Sequence, residues 1–156
     1  MNDPPSEHDA EAMINALLTV TSVLMSISAQ AIKRVEESMT VPQFRCLAML
    51  GSKGPISLSD LATVLSVNPS TAMRMADKLA DANFVLRDAP KDPGHGTHYV
   101  LTAKGEDVVR TALEYRRIEF QRILTKVHAP HRERLVTALE AFADAAGDAM
   151  PSLPPL

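Results

Sequence analysis

Between Asp9 and Glu37 the chain has neither proline nor glycine, and Met13, Leu17, Val20, Leu24, Ile27, Ala31 and Val35 recur at steps of three and four. That spacing lines one face of an α-helix. At about 1.5 Å per residue the helix would run about 43 Å, longer than a small domain is wide. Part of its apolar stripe must therefore be covered from outside its own compact unit, and a partner subunit is the simplest cover. The rest of the chain has to supply that compact unit.

The best candidate for its centre is Ser57 to Asp81, which reads as two short helices joined by a tight turn. Leu58, Leu61, Ala62 and Leu65 give the first helix one apolar face. Ser57 sits where an N-cap belongs, with Asp60 three residues on. Ser66-Val67-Asn68 breaks the pattern. Asn68 caps the second helix, and Pro69 suits its first turn because the N–H it lacks has no partner there. On a helical wheel with Ser70 at zero, Ala72, Met75, Ala76 and Leu79 fall between about 140° and 240°, the buried face. Ser70, Thr71, Arg74, Asp77, Lys78 and Asp81 cover the opposite arc, with Met73 on the flank. Small hydroxyls followed one turn later by an arginine fit a DNA major groove. An ordinary surface helix would show the same wheel, so the context has to decide.

That context is regular. Thr40-Val41-Pro42-Gln43 is a capping box opening a helix over about Pro42 to Leu50, with a stop at Gly51-Ser52-Lys53-Gly54-Pro55. Ile56 is placed for a one- or two-residue strand pairing. After Asp81 the period shifts to a strand over 82–88, then the turn formers of 89–97, then a returning strand His98 to Thr102. A strand, a polar loop and a strand behind a helix-turn-helix make a wing, which can track phosphate or enter the minor groove. Thr102 caps a helix of about Ala103 to Val127, with Val109, Leu113, Phe120, Ile123, Leu124 and Val127 apolar. A last helix, about Pro130 to Ala149, carries Leu135, Leu139, Phe142, Ala146 and Met150. All eleven prolines fall at boundaries or in tails. The fold class is mainly α with a small β-wing: residues 1–38 a tail and dimerisation helix, 39–102 a winged helix-turn-helix, 103–156 C-terminal dimerisation helices and tail. Antiparallel pairing of the outer helices gives a two-fold dimer, with two reading helices facing one palindromic site.

Composition agrees with a globular chain: 156 residues, 46% hydrophobic and 22% charged, enough for a core without staples. The single cysteine, Cys46, rules out an internal disulfide framework and lies in an apolar helical run, as a buried structural thiol does. No apolar run approaches the roughly 18 residues of a membrane span, so no span is expected, and the acidic N-terminus lacks the marks of a signal peptide, so the expected location is the cytoplasm. The net charge of −3 lends DNA binding no support.

Order and spacing together resemble the MarR family of bacterial winged-helix regulators, over about residues 9–149. The resemblance rests on Pro42-Gln43-Phe44 followed by Leu47 to Leu50, Gly54-Pro55 with Leu58-Ser59-Asp60-Leu61-Ala62, and Val67-Asn68-Pro69-Ser70-Thr71. Arg74-Met75-Ala76-Asp77-Lys78-Leu79 and Leu101-Thr102 with Gly105 complete it. It implies a homodimeric repressor on a pseudo-palindromic operator in double-stranded DNA, with no cofactor. It also implies release by small aromatic or phenolic effectors in a crevice between the dimer layer and the winged unit. DNA contacts are implied for Asn68, Ser70, Thr71, Met73, Arg74, Lys78, Lys91 and His95. Asn68 stands where the family often has serine, and Met73 where it often has threonine or serine. Met73 cannot donate a hydrogen bond and suits a thymine methyl. Family wings usually carry an aspartate and an arginine before the second strand. Here Asp92-Pro93-Gly94-His95-Gly96 has no arginine, and His95 falls nearest its place.

Other classes have less to stand on. Asp92, His95, His98, His128 and His131 offer donors to a zinc-type metal-responsive regulator, although loop histidines scatter on surfaces without converging. No nucleophile elbow, phosphate-cradling loop or metalloprotease motif points to an enzyme. The near-neutral charge and depleted wing fit a dimeric interaction protein with weakened DNA binding. Redox sensing through Cys46 departs from the family's sensors, whose reactive cysteine lies near the N-terminus. Met13, Met25, Met39, Met49 and Met75 suit either a pliable crevice or plain core.

A wing histidine carries a charge only near and below about pH 6.5. Operator affinity should therefore fall as pH rises from 6 to 8, and the fall should vanish in His95→Ala. Equal slopes for the two proteins in fluorescence anisotropy would dismiss the idea.

Overall fold

The structure, a computed structural model, describes residues 6–88 and 97–147. Its helices are α1 (Glu7–Val35), α2 (Val41–Lys53), α3 (Leu58–Leu65), α4 (Pro69–Asp81), α5 (Ala103–Leu124) and α6 (Ala129–Gly147). Its strands are β1 (Ile56–Ser57), β2 (Val85–Asp88) and β3 (His98–Leu101). The three strands form one antiparallel sheet in the order β1-β3-β2. The predicted mainly helical, winged architecture is the one observed.

The helix starts follow from local chemistry. The side chain of Ser6 accepts from the N–H of Asp9, Ser57 from Asp60, Asn68 from Thr71 and Thr102 from Gly105. Thr40 and Gln43 form the reciprocal capping box. Each such cap stabilises by about 1 kcal/mol through an N–H that would otherwise be orphaned.

Helix α4 ends in a Schellman motif. Asn83 adopts the left-handed conformation, with φ 60°. Its N–H donates to the carbonyl of Ala80 and that of Phe84 to Leu79, both at 2.8 Å. The chain is thereby turned into β2. Thr102, entering α5, then donates its N–H to the Phe84 carbonyl at 3.0 Å and its hydroxyl to that of Asn83 at 2.7 Å. Lys104 Nζ donates to the Ala82 carbonyl at 3.0 Å and lies 4.1 Å from the centre of the Phe84 ring.

The core gathers Leu47, Met49 and Cys46 of α2, Leu61 of α3, Leu79 of α4 and Val85 of β2, all essentially sealed from solvent. It continues without a break into Ala31 and Ile32 at the end of α1 and Val108, Val109 and Ala112 at the start of α5. The rest of the outer layer is open. Met13, Leu17, Val20 and Leu24 of α1 are exposed, as are Leu135, Leu139 and Phe142 of α6, a helix with no buried residue among those described.

Several expectations need correction. Helix α2 runs through Gly51 to Lys53, because the left-handed position that ends it is Gly54, with φ 77°. Helix α5 stops at Leu124 and residues 125–127 form a turn, before His128 and Pro130. Met39 and Met49 are buried, but Met13 and Met25 lie on the open part of α1. The expectation that no apolar run approaches membrane-spanning length also fails. Helix α1 is long and apolar enough to cross a membrane, with a mean hydropathy of 1.7 over its best 18-residue window. No charged side chain occurs from Ala12 to Ile32. Its hydroxyls break the apolar run in the sequence, yet Thr19, Ser22 and Ser28 return their protons to the carbonyls of Asn15, Leu18 and Leu24.

Gly105 lies against the α4–β2 junction, where a Cβ would sit 2.1 Å from the Phe84 carbonyl oxygen. Gly105→Ala should cost at least about 1–3 kcal/mol as overpacking against backbone. At Gly51 the nearest atom to an added Cβ is 3.5 Å away, on the Leu101 side chain. Gly51→Ala should be neutral or stabilising by up to about 1 kcal/mol. Urea unfolding of the two variants would compare them, and equal midpoints would refute the junction argument.

Candidate nucleic-acid interface

Helices α3 and α4 pack on each other, and Ser66 makes the turn between them in the left-handed conformation, with φ 54°. Its N–H donates to the carbonyls of Ala62 and Thr63. Ala72, Ala76 and Leu79 anchor α4 in the core. Met75, expected on the same buried face, is only half-buried and borders a surface depression with Thr71, Arg74 and Lys78.

The opposite face of α4 presents the predicted reading residues together. Ser70, Met73, Arg74 and Lys78 are exposed and Thr71 is half-buried. Asn68 Oδ1 accepts the N–H of Thr71 at 2.8 Å and the hydroxyl proton of Ser70 at 2.7 Å. Asn68 is thus occupied as a cap through its oxygen, leaving its amide protons to face outward. Arg74 makes one long hydrogen bond, 3.3 Å to Thr71 Oγ1, and no salt bridge among the described residues. The guanidinium is free to extend. Lys91 and His95 lie outside the described residues, as does Asp92.

Two residues take roles that the wheel of α4 did not suggest. Asp77, counted with the outward arc, pairs instead with Arg87 of β2 at 2.5 Å. The Arg87 guanidinium also lies 5.8 Å from the centre of the Tyr99 ring on β3. Their ten-residue separation spans a helix end and a strand start, so no helical periodicity reveals the pair. The signal available was the returning direction of the chain after Asn83.

Cys46 is buried, and burial alone pushes its thiol up to about 12. Among the described residues no three His, Cys, Asp or Glu side chains come together to hold a metal. His98 on β3 and the pair His128 and His131 near the start of α6 therefore form no such site there.

A capped second helix on a helical support, a strand pair behind it and long outer helices define a winged helix-turn-helix protein. Residues 39–92 match the model of the MarR family. The HTH-type transcriptional repressor Rv2887 of Mycobacterium tuberculosis is 32% identical over 102 residues, which are 65% of this chain and 73% of that protein. The crystal structure of RV1404 from Mycobacterium tuberculosis matches with a TM-score of 0.84 at 39% identity, covering 94% of this chain and 99% of that one. The Mycobacterium tuberculosis MarR family protein RV2887 in complex with salicylic acid matches with a TM-score of 0.60 at 30% identity, covering 90% and 98%. The chain belongs to the MarR family of winged-helix transcriptional regulators. It is a regulator and not an enzyme.

A thiolate is the reactive form of cysteine, and burial keeps Cys46 from becoming one. At pH 8 a thiol reagent should leave native Cys46 unmodified and label it fully in denaturant. Rapid labelling of the native protein would contradict its placement.

Proposed function

We propose that the chain is a homodimeric, cytoplasmic repressor that binds a pseudo-palindromic operator through α4 and leaves it on binding a small aromatic or phenolic molecule. The observation that carries the reading is the two-sided character of α4. One side is locked into the core by Ala72, Ala76 and Leu79, and the other offers Ser70, Thr71, Arg74 and Lys78 to a groove. Arg74 is the base reader, because a guanidinium can bond guanine O6 and N7 together. Lys78, Lys91 and His95 take phosphate or minor-groove positions, while Met73 contacts a thymine methyl and Asn68 the backbone beside it.

The outer layer supports a second copy as partner. Helix α1 carries no charge around its whole circumference from Ala12 to Ile32, and much of it is exposed in one protomer. A helix of that character belongs inside an assembly or a bilayer. The exposed apolar side chains of α5 and α6 offer the matching surface for an assembly. Salicylic acid, bound by one family member, is the natural first effector to try.

The test is selection of bound duplexes from random DNA, followed by titration of the selected site. Arg74→Ala should weaken specific binding by roughly 100-fold or more, as loss of a bidentate base contact in each half-site does. Sedimentation should give the same dimer for wild type and variant. Normal operator binding by Arg74→Ala would remove α4 from the groove, and a selection that enriches no motif would favour an interaction protein instead.

A further inference from the structure

The wing is held unevenly. Strand β2 is an edge strand of four residues, of which only Val85 is buried. Leu86, Arg87 and Asp88 are exposed, and β3 is their one neighbouring strand. Such a segment has little local stability of its own. Asp88 is the last residue of β2, so the direction of this strand sets the outer end of the β2–β3 pair.

Among the described residues, one polar contact bridges this outer half of β2 to α4. Arg87 Nη2 lies 2.5 Å from Asp77 Oδ1, on the last turns of the reading helix. The register sets Arg87 directly opposite Tyr99, which is buried and also pairs with Ile56 of β1. The guanidinium is therefore braced between a fixed aromatic ring and a carboxylate. We propose that Asp77 and Arg87 form a latch that sets the angle of the wing against the reading helix, which makes Arg87 a positioning residue and not a DNA contact. This rests on the DNA-binding reading above and names two further residues that it depends on.

The charges divide accordingly. Arg74 and Lys78 have no carboxylate partner among the described residues, whereas Arg87 is neutralised by Asp77. A paired arginine adds little to attraction for phosphate. Both side chains are about half exposed, so the pair adds little to global stability. Its effect falls on orientation, at the exposed outer end of an edge strand.

A latch and a phosphate contact differ in salt dependence. Losing one phosphate contact from each subunit lowers the magnitude of the slope of log K against log salt by about 1.8. Under the latch, Arg87→Met and Asp77→Asn each lower operator affinity on the order of tenfold in a two-fold complex, with the slope unchanged. The exchanged pair, Asp77→Arg with Arg87→Asp, restores affinity to within about threefold of wild type. A second arm needs no DNA. Amide exchange in β2 should speed up in each single variant and slow again in the exchanged pair, with α1 and α5 unaffected. A reduced salt slope for Arg87→Met, no rescue on exchange, or unchanged β2 protection would each overturn the latch. If the wild type binds no DNA, the regulator reading fails, and the exchange arm alone decides the latch.

Discussion

The carbonyl of Phe84 is the point at which the elements of the winged unit are fixed to one another. Thr102 donates its N–H to it, and the absent side chain of Gly105 lets α5 approach it. The Schellman turn at Asn83 aims that carbonyl, and Lys104 closes the junction from outside. A backbone group buried here without a partner would cost about 1–3 kcal/mol. With it satisfied, the end of α4, the start of β2 and the start of α5 become a single rigid corner. Helix α4 gets its orientation from this corner, and the wing gets its root.

Much of this was legible from residue types with one local role each. Ser57, Asn68 and Thr102 mark helix starts, because a side-chain oxygen three residues before a free N–H has few other uses. Ile56 and the 98–101 stretch mark the sheet. The readings that failed involved competition between local signals. Gly51 looks like a stop, but Gly54 alone has the positive φ that ends α2. Thr19, Ser22 and Ser28 look polar, but their protons are spent within the helix. The Asp77–Arg87 pair was hidden for a different reason. It depends on how a helix and a strand lie in space, which periodicity along either one does not contain.

The same helix α1 illustrates why composition needs topology. By length and hydropathy it qualifies for a bilayer. Its last turns, however, place Ala31 and Ile32 in the core of the winged unit. Arg34 lies 4.6 Å from the centre of the Tyr115 ring of α5. Those contacts tie the helix to a folded body at one end. Relatives that match over nearly their full length include this segment within the same fold.

The continuous core has a consequence for how such a protein can be taken apart or recombined. A cut on either side of residues 39–102 would remove Ala31, Ile32, Val108, Val109 and Ala112, and so strip one wall from the packing around Leu47 and Leu79. The winged unit is therefore not a portable cassette. A lineage that changes the outer helices has to do so with the winged unit still attached. That unit, in turn, inherits any displacement of the helices that complete its interior, since close-packed interiors transmit strain.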